Sequence, residues 1–371
     1  MRTSFLSLVG AGLLCTACIA APPQADISSY EDCAAAGYPI MEIYPEQCRT
    51  PDGRTFTRNI EPTQNSMSTA QSATITSSSS SVSAVSLPAL MSKQFSGSDL
   101  KLGTVLADNN AYTRYTITYK SGDLRISGIM NIPKGSGPFP LLILNHGHID
   151  TSIYTNGRGL KREQDYLARQ GYAVLHPDFR NHAFSDKDAA SDMNFRLGYT
   201  EDAINAILAV QAAKLPQVDS SKVGMLGHSM GGGVTLNALV LRPDLIDAAV
   251  LFAPVSGDVR DNFNKWTKSN SSLAAAIEKI YGAPEQNPTF WDAISPINYL
   301  SRIVAPVVIH HGTADDSVPL AWSENLNTKM KAAGKDIVLN VYENEPHEFI
   351  TDWPLVMKRT TEFFDKNVKA H

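Results

Sequence analysis

The chain has 371 residues, 43% hydrophobic and 19% charged, which is ordinary for a globular protein. Its formal net charge is only −5 and it has no long basic run, so nothing supports nucleic-acid binding. The length fits one large domain or two of medium size.

The opening stretch MRTSFLSLVGAGLLCTACIA (1–20) holds one basic residue, an apolar core of secretory length and then small residues. That is the pattern of an export signal, and it is too short for a good membrane span. Two processing outcomes stay open. Cleavage after Ala20 releases a free chain. Cleavage before Cys18 leaves a cysteine for lipid attachment. LCTAC resembles a bacterial lipoprotein box, although Cys15 stands where an aliphatic residue is usual. The expected location is outside the cytoplasm: extracellular, periplasmic or lipid-anchored at the bacterial cell envelope.

Residues 28–60 read as a small module around Cys33 and Cys48, the only cysteines beyond the signal. In an oxidising compartment the two should form a disulfide. Closing a loop of about 15 residues stabilises by roughly 3 kcal/mol in the chain-entropy model. The stretch resembles short cysteine motifs that precede domains in exported bacterial proteins. Residues 61–90 are Ser/Thr-rich and nearly uncharged, which predicts a flexible linker.

A folded domain is expected from about Gln94 to His371. YTRYTITYK and LRISGIMNIPK alternate like hairpin strands. FPLLILNHG is a continuous apolar run, hence a strand buried on both faces. LKREQDYLARQ reads as a helix ending at Gly171, YAVLHPDF as a strand, and EDAINAILAVQAAKL as an amphipathic helix. KVGMLGHSMGGG is strand, sharp turn and helix. DAAVLFAPVS, APVVIHHG and DIVLNVYE are the remaining strands, with a helix between the last two and another after Trp353. This alternation predicts an α/β fold with a mostly parallel central sheet and helices on both faces. Residues 258–300 break the rhythm. They carry Trp266, Tyr281, Phe290 and Trp291 without a strand pattern, so they read as a helical insertion.

Gly227-His228-Ser229-Met230-Gly231, between a strand and a helix, is the setting of a nucleophile elbow. A serine hydroxyl is a weak nucleophile and needs a base and an acid to orient that base. The expected order is serine, acid, histidine. HGTADDSVP supplies Asp315 or Asp316, and NEPHEF supplies His347. The backbone amides of Met230 and of His148, in the loop after FPLLILN, would form the oxyanion hole, with Gly147 letting the chain turn inward. The same letters allow another reading. His146-x-His148 with Asp150 approaches the H-x-H-x-D-H ligand set of metallo-β-lactamase-like hydrolases, but Thr151 stands where the last histidine belongs. No metal or cofactor is therefore expected. Asp178 and Arg180 either shape the loop beside the site or form a surface ion pair. Trp266, Phe290 and Trp291 either line a pocket or form the insertion's own core.

GHSMGG, HGTADDSVP and PHEF, with NHGH and YAVLHPDFRNHAFS, resemble the catalytic domain of the prolyl oligopeptidase (S9-type) branch of the α/β-hydrolases over Gln94–His371. The resemblance implies an α/β-hydrolase fold, Ser229 as nucleophile and His347 as base. It favours Asp315 over Asp316, because the acid lies four residues after the histidine of His-Gly. Peptidases of that branch usually carry an N-terminal β-propeller, and no propeller repeats are visible here. The implied reaction is cleavage of a small ester or short peptide through an acyl-enzyme, esters slightly preferred. The alternative is a dipeptidyl- or acylaminoacyl-type serine peptidase. A metal-dependent hydrolase and a non-catalytic surface-binding protein rank below both.

Overall fold

The computed structural model describes residues 27–35, 40–41, 47–50, 52–57 and 83–370. The expected export signal with Cys18, and the linker up to residue 82, lie outside the described residues.

The apolar runs of the sequence become strands of one nine-stranded sheet. Numbered from the first strand of the sheet, they are β1 (Gly97–Asp108), β2 (Tyr112–Ser121), β3 (Leu124–Pro133), β4 (Phe139–Asn145), β5 (Ala173–Pro177), β6 (Val218–His228), β7 (Ala248–Phe252), β8 (Val307–Gly312) and β9 (Ile337–Tyr342). Their spatial order is β1-β2-β3-β5-β4-β6-β7-β8-β9. The pairs from β1 through β3 to β5 are antiparallel, and those from β5 to β9 are parallel. After β4 the chain crosses to β5 on one side, then returns past β4 to β6 on the other. Ligands of open α/β sheets bind at such a reversal, outside the C-terminal strand ends. Asn145 pairs in register with Gly227 there, so the loop after β4 lies beside the turn after β6.

Helices α2 (Leu197–Ala213), α3 (Met230–Leu241) and α7 (Leu320–Ala332) cover one face through Ile204, Ile207, Leu236, Leu239, Leu326 and Met330. Helices α1 (Lys161–Arg169) and α8 (Trp353–Phe364) cover the other through Leu167, Val356, Met357 and Phe364. Each such side chain contributes roughly 1.5–3 kcal/mol by leaving water. Between β7 and β8, α4 (Val259–Lys265), α5 (Ser271–Tyr281) and α6 (Pro288–Ala293) form the helical insertion.

Three features differ from the sequence reading. The edge strand β1 is absent from the sequence reading, because most of its residues face solvent and leave no alternation, and its register with β2 breaks three times. Helix α2 is not amphipathic: Ala203, Ile204, Ala206, Ile207, Ala209 and Val210 are all fully buried. The reason is that β1 packs against it; a Cβ on Gly97 would lie 1.9 Å from the Asn205 carbonyl oxygen. Finally, the folded unit starts before Gln94. Within the expected linker 61–90, Ser86 caps a short helix, Leu87–Met91, whose Leu87 and Leu90 enter the main core.

The cysteine module is a helix, Tyr30–Ala35, beside three short antiparallel strands, with Cys33 bonded to Cys48. Ile27 and Tyr30 pack with the two cysteines, Phe56 and Ile153. Among the described residues there is no β-propeller.

Candidate active site

Ser229 sits between β6 and α3 with φ 55° and ψ −118°, a backbone conformation that costs on the order of 1–3 kcal/mol. The fold holds it there. Its N–H donates to the Phe252 carbonyl at 2.8 Å, and its carbonyl accepts from Gly232 N at 2.9 Å and Val255 N at 3.2 Å. Two glycines make room. A Cβ on Gly227 would lie 2.1 Å from the Gly231 carbonyl oxygen, and one on Gly231 would lie 2.0 Å from that of Asn145. Met230 opens α3, so its amide belongs to the unsatisfied first turn of that helix.

Asp315 and His347 come together across the loops after β8 and β9. Asp315 Oδ2 accepts from His347 Nδ1 at 2.7 Å, while Oδ1 accepts from the amides of Ser317 (2.9 Å) and Val318 (2.8 Å). His311 Nε2 also lies 3.2 Å from Oδ2. Burial by itself would push the Asp315 carboxyl up; hydrogen bonds from His311 and His347 overcome this and hold it well below the usual carboxylate range. Asp316 is exposed, with the Ser317 hydroxyl at 3.3 Å. With Nδ1 of His347 donating to Asp315, its Nε2 carries the lone pair a general base needs. That Nε2 is buried and has no hydrogen-bond partner among the described residues. The bond between serine and histidine is thus open in this structure, as is common for catalytic contacts without substrate.

Two supports went unread in the sequence. His311 is fixed by Ser323 Oγ at 2.7 Å and the Val318 carbonyl at 3.0 Å; its signal was its place four residues before Asp315. Buried Glu345 anchors the His347 loop by accepting from the amides of Ile350, Thr351 and Asp352.

The His146 and His148 side chains part company. His146 is fully buried, its ring 4.7–5.3 Å from those of Phe179, Tyr154, His182 and His176. His148 lines the cleft, with Nδ1 3.2 Å from Arg196 Nη1. Among the described residues no three His, Cys, Asp or Glu side chains are placed to hold a metal ion. Asp178 and Arg180 are loop-shaping residues rather than a surface pair. Asp178 is buried and accepts from Ser127 Oγ, Tyr154 OH, Asn156 Nδ2 and Gly157 N, which fixes the loop that follows His148. Arg180 pairs with buried Asp202 at 2.8 Å.

A cleft of about 460 Å³ opens over Ser229, walled by Phe195, Val259, Phe263, Trp266 and Ile277. Of the aromatics singled out from sequence, Trp266 lines this cleft. Phe290 and Trp291 belong to the insertion's core, where Phe195 packs against both.

A sequence model of the prolyl oligopeptidase family matches residues 159–371, more than half of the chain and all of Ser229, Asp315 and His347. The chain belongs to that family. It is a serine hydrolase with the α/β-hydrolase fold. The uncharacterized peptidase YtmA of Bacillus subtilis is 25% identical over 63% of this chain and 86% of its own length. Esterase EstD of Thermotoga maritima is 28% identical over 54% of this chain and 53% of its own. The acylaminoacyl peptidase of Pyrococcus horikoshii shares the fold with a TM-score of 0.55, at 22% identity, over 70% of this chain and 42% of its own. The chain thus spans most of the first of these and about half or less of the other two. The family holds peptidases and esterases alike.

Proposed function

We propose that the protein is an exported hydrolase that cleaves small esters, and less readily short amides, through an acyl-enzyme on Ser229. The observation that carries this is the 2.7 Å contact between Asp315 and His347 beside a strained serine elbow. Ser229 Oγ attacks the substrate carbonyl carbon and gives its proton to His347 Nε2. Asp315 stabilises the imidazolium and keeps Nδ1 as the donor. The amides of Met230 and His148 receive the oxyanion. Collapse expels the alcohol or amine, which takes the proton from His347. Water then repeats the sequence on the acyl-enzyme and frees the acid. A cleft of this size suits a small substrate. Ester preference rests on its aromatic wall and on the lack of a propeller among the described residues; the peptidase relatives support the second reading. Export rests on the first 20 residues and on the paired cysteines.

A fluorophosphonate probe should label wild type and leave Ser229→Ala unlabelled; equal labelling of both would sink the mechanism. Turnover of p-nitrophenyl acetate should exceed that of a proline-containing peptide amide. Brisk amide cleavage with inert esters would reverse the preference. Mass spectrometry of the mature N-terminus should find the first 20 residues removed, or a lipid on Cys18. An intact Met1 would overturn export.

A further inference from the structure

Arg196 immediately precedes α2 in a left-handed conformation (φ 54°), and Phe195 before it is left-handed as well (φ 52°). The fold secures this turn. Arg196 N donates to the Ser191 carbonyl at 2.8 Å, its carbonyl accepts from Tyr199 N at 2.9 Å, and its Nε donates to Asp192 Oδ1 at 2.8 Å. The guanidinium is thereby aimed into the cleft. There a single nitrogen, Nη1, lies 3.2 Å from His148 Nδ1 and 3.7 Å from Met230 Sδ. These two residues come from the ends of different strands, and their backbone amides are the two assigned to the oxyanion hole. One cation therefore touches the side chains of both.

The chemistry constrains His148 further. A guanidinium only donates, so the Nδ1 that faces it must be the lone-pair nitrogen, with the ring proton on Nε2. Burial and the Arg196 charge push the imidazole down to about 3, so the ring is neutral at working pH. A neutral ring accepts from Arg196 without competing for its charge. Arg196 is itself paired with Asp192, so what it brings to this wall of the cleft is a fixed donor rather than an uncompensated charge.

We propose that Arg196 is a positioning residue of the oxyanion hole: braced by Asp192, it clamps the side chains of His148 and Met230 and so holds their amides in place. The inference rests on Ser229 as the nucleophile. Because the effect belongs to the transition state, it falls on kcat rather than KM. Removing one oxyanion donor outright costs about 10²–10³ in kcat. Arg196 acts through other groups, so the loss should be smaller, about tenfold.

The test compares wild type with Arg196→Met and Arg196→Lys in the full chain. Both variants should keep the wild-type melting temperature and still be labelled at Ser229 by a fluorophosphonate. Arg196→Met should lose about tenfold in kcat with KM within about twofold, and phenylboronic acid, which forms a tetrahedral adduct on the serine, should bind weaker by the same factor. Arg196→Lys keeps a charge but lacks the separate nitrogens that bond Asp192 and face His148 and Met230 together, and should recover only part of that loss. Nitrogen NMR of His148 should show one tautomer, protonated at Nε2, in wild type and a mixture in Arg196→Met. Wild-type kcat and boronate affinity in Arg196→Met, with Ser229 still labelled, would overturn the clamp alone. A loss confined to KM would overturn it too and make Arg196 a substrate contact. A wild-type enzyme that is not labelled at Ser229 would overturn both the clamp and the triad.

Discussion

On the side of the cleft built after β8 and β9, what does the holding is carboxylate side chains: Asp315 between His311 and His347, and Glu345 tying down the amides of the His347 loop. On the side built after β4 and β6, what is held is backbone: Asn145 against Gly231, and Ser229 against Phe252. The two sides should fail differently. The first is sensitive above all to the chemistry of its side chains, although it too has one tight approach, a Cβ on Gly312 lying 2.0 Å from the Glu345 carbonyl oxygen. The second, Ser229 apart, is forgiving of chemistry and sensitive to a single added carbon at Gly227 or Gly231.

Ser229→Ala aside, the largest effect should come from the side-chain half. Asp315→Asn should cost about 10⁴ in kcat with the fold intact, by favouring the wrong tautomer of His347. A loss under tenfold would return the acid to Asp316. Next comes the backbone half. Gly147→Val should cost about 10²–10³ in kcat by displacing an oxyanion donor. His148→Ala should stay within about tenfold of wild type, since only the ring's support of the hole is lost. The reverse ranking, measured by ester turnover, would break the contrast. A third variant asks how far the side-chain half extends. His311→Ala should lower kcat by about tenfold without moving KM, since Asp315 keeps its bond to His347 but loses one brace; unchanged kcat would make His311 a packing residue.

The smallest effect is on stability. Burial, with His146 nearby for the first and Arg359 for the second, pushes His182 and His310 down to about 3, whereas an unfolded histidine titrates near pH 6.5. Between those values the unfolded chain binds more protons, so stability falls as pH drops from about 6.5 towards 3. Asp315, held low, adds a loss that begins only as pH falls below about 4. His310→Gln should flatten the fall in melting temperature between pH 7.5 and pH 5. An unchanged slope would assign the acid sensitivity elsewhere.

How much of this was legible in the sequence depended on where each residue faces. Strands β4 and β7 announced themselves because they are buried on both faces. β1 did not, because its side chains face water and its pairing is interrupted. The elbow and the Asp315–His347 pair could be read because their chemistry is tied to the ends of recognisable strands. Arg196 could not. Its role depends on two left-handed residues that no local pattern signals, and on partners in other loops. Whether Phe290 and Trp291 line the pocket or form the insertion's core stayed open, because composition does not reveal which way a helix turns; the fold puts both in the core.

The short helix Leu87–Met91 has a consequence for force. Its leucines pack against α3, the helix that starts at Met230 immediately after Ser229. From residue 83 the chain is therefore seated directly against the helix that carries the elbow, so strain at this seat bears on the support of Ser229.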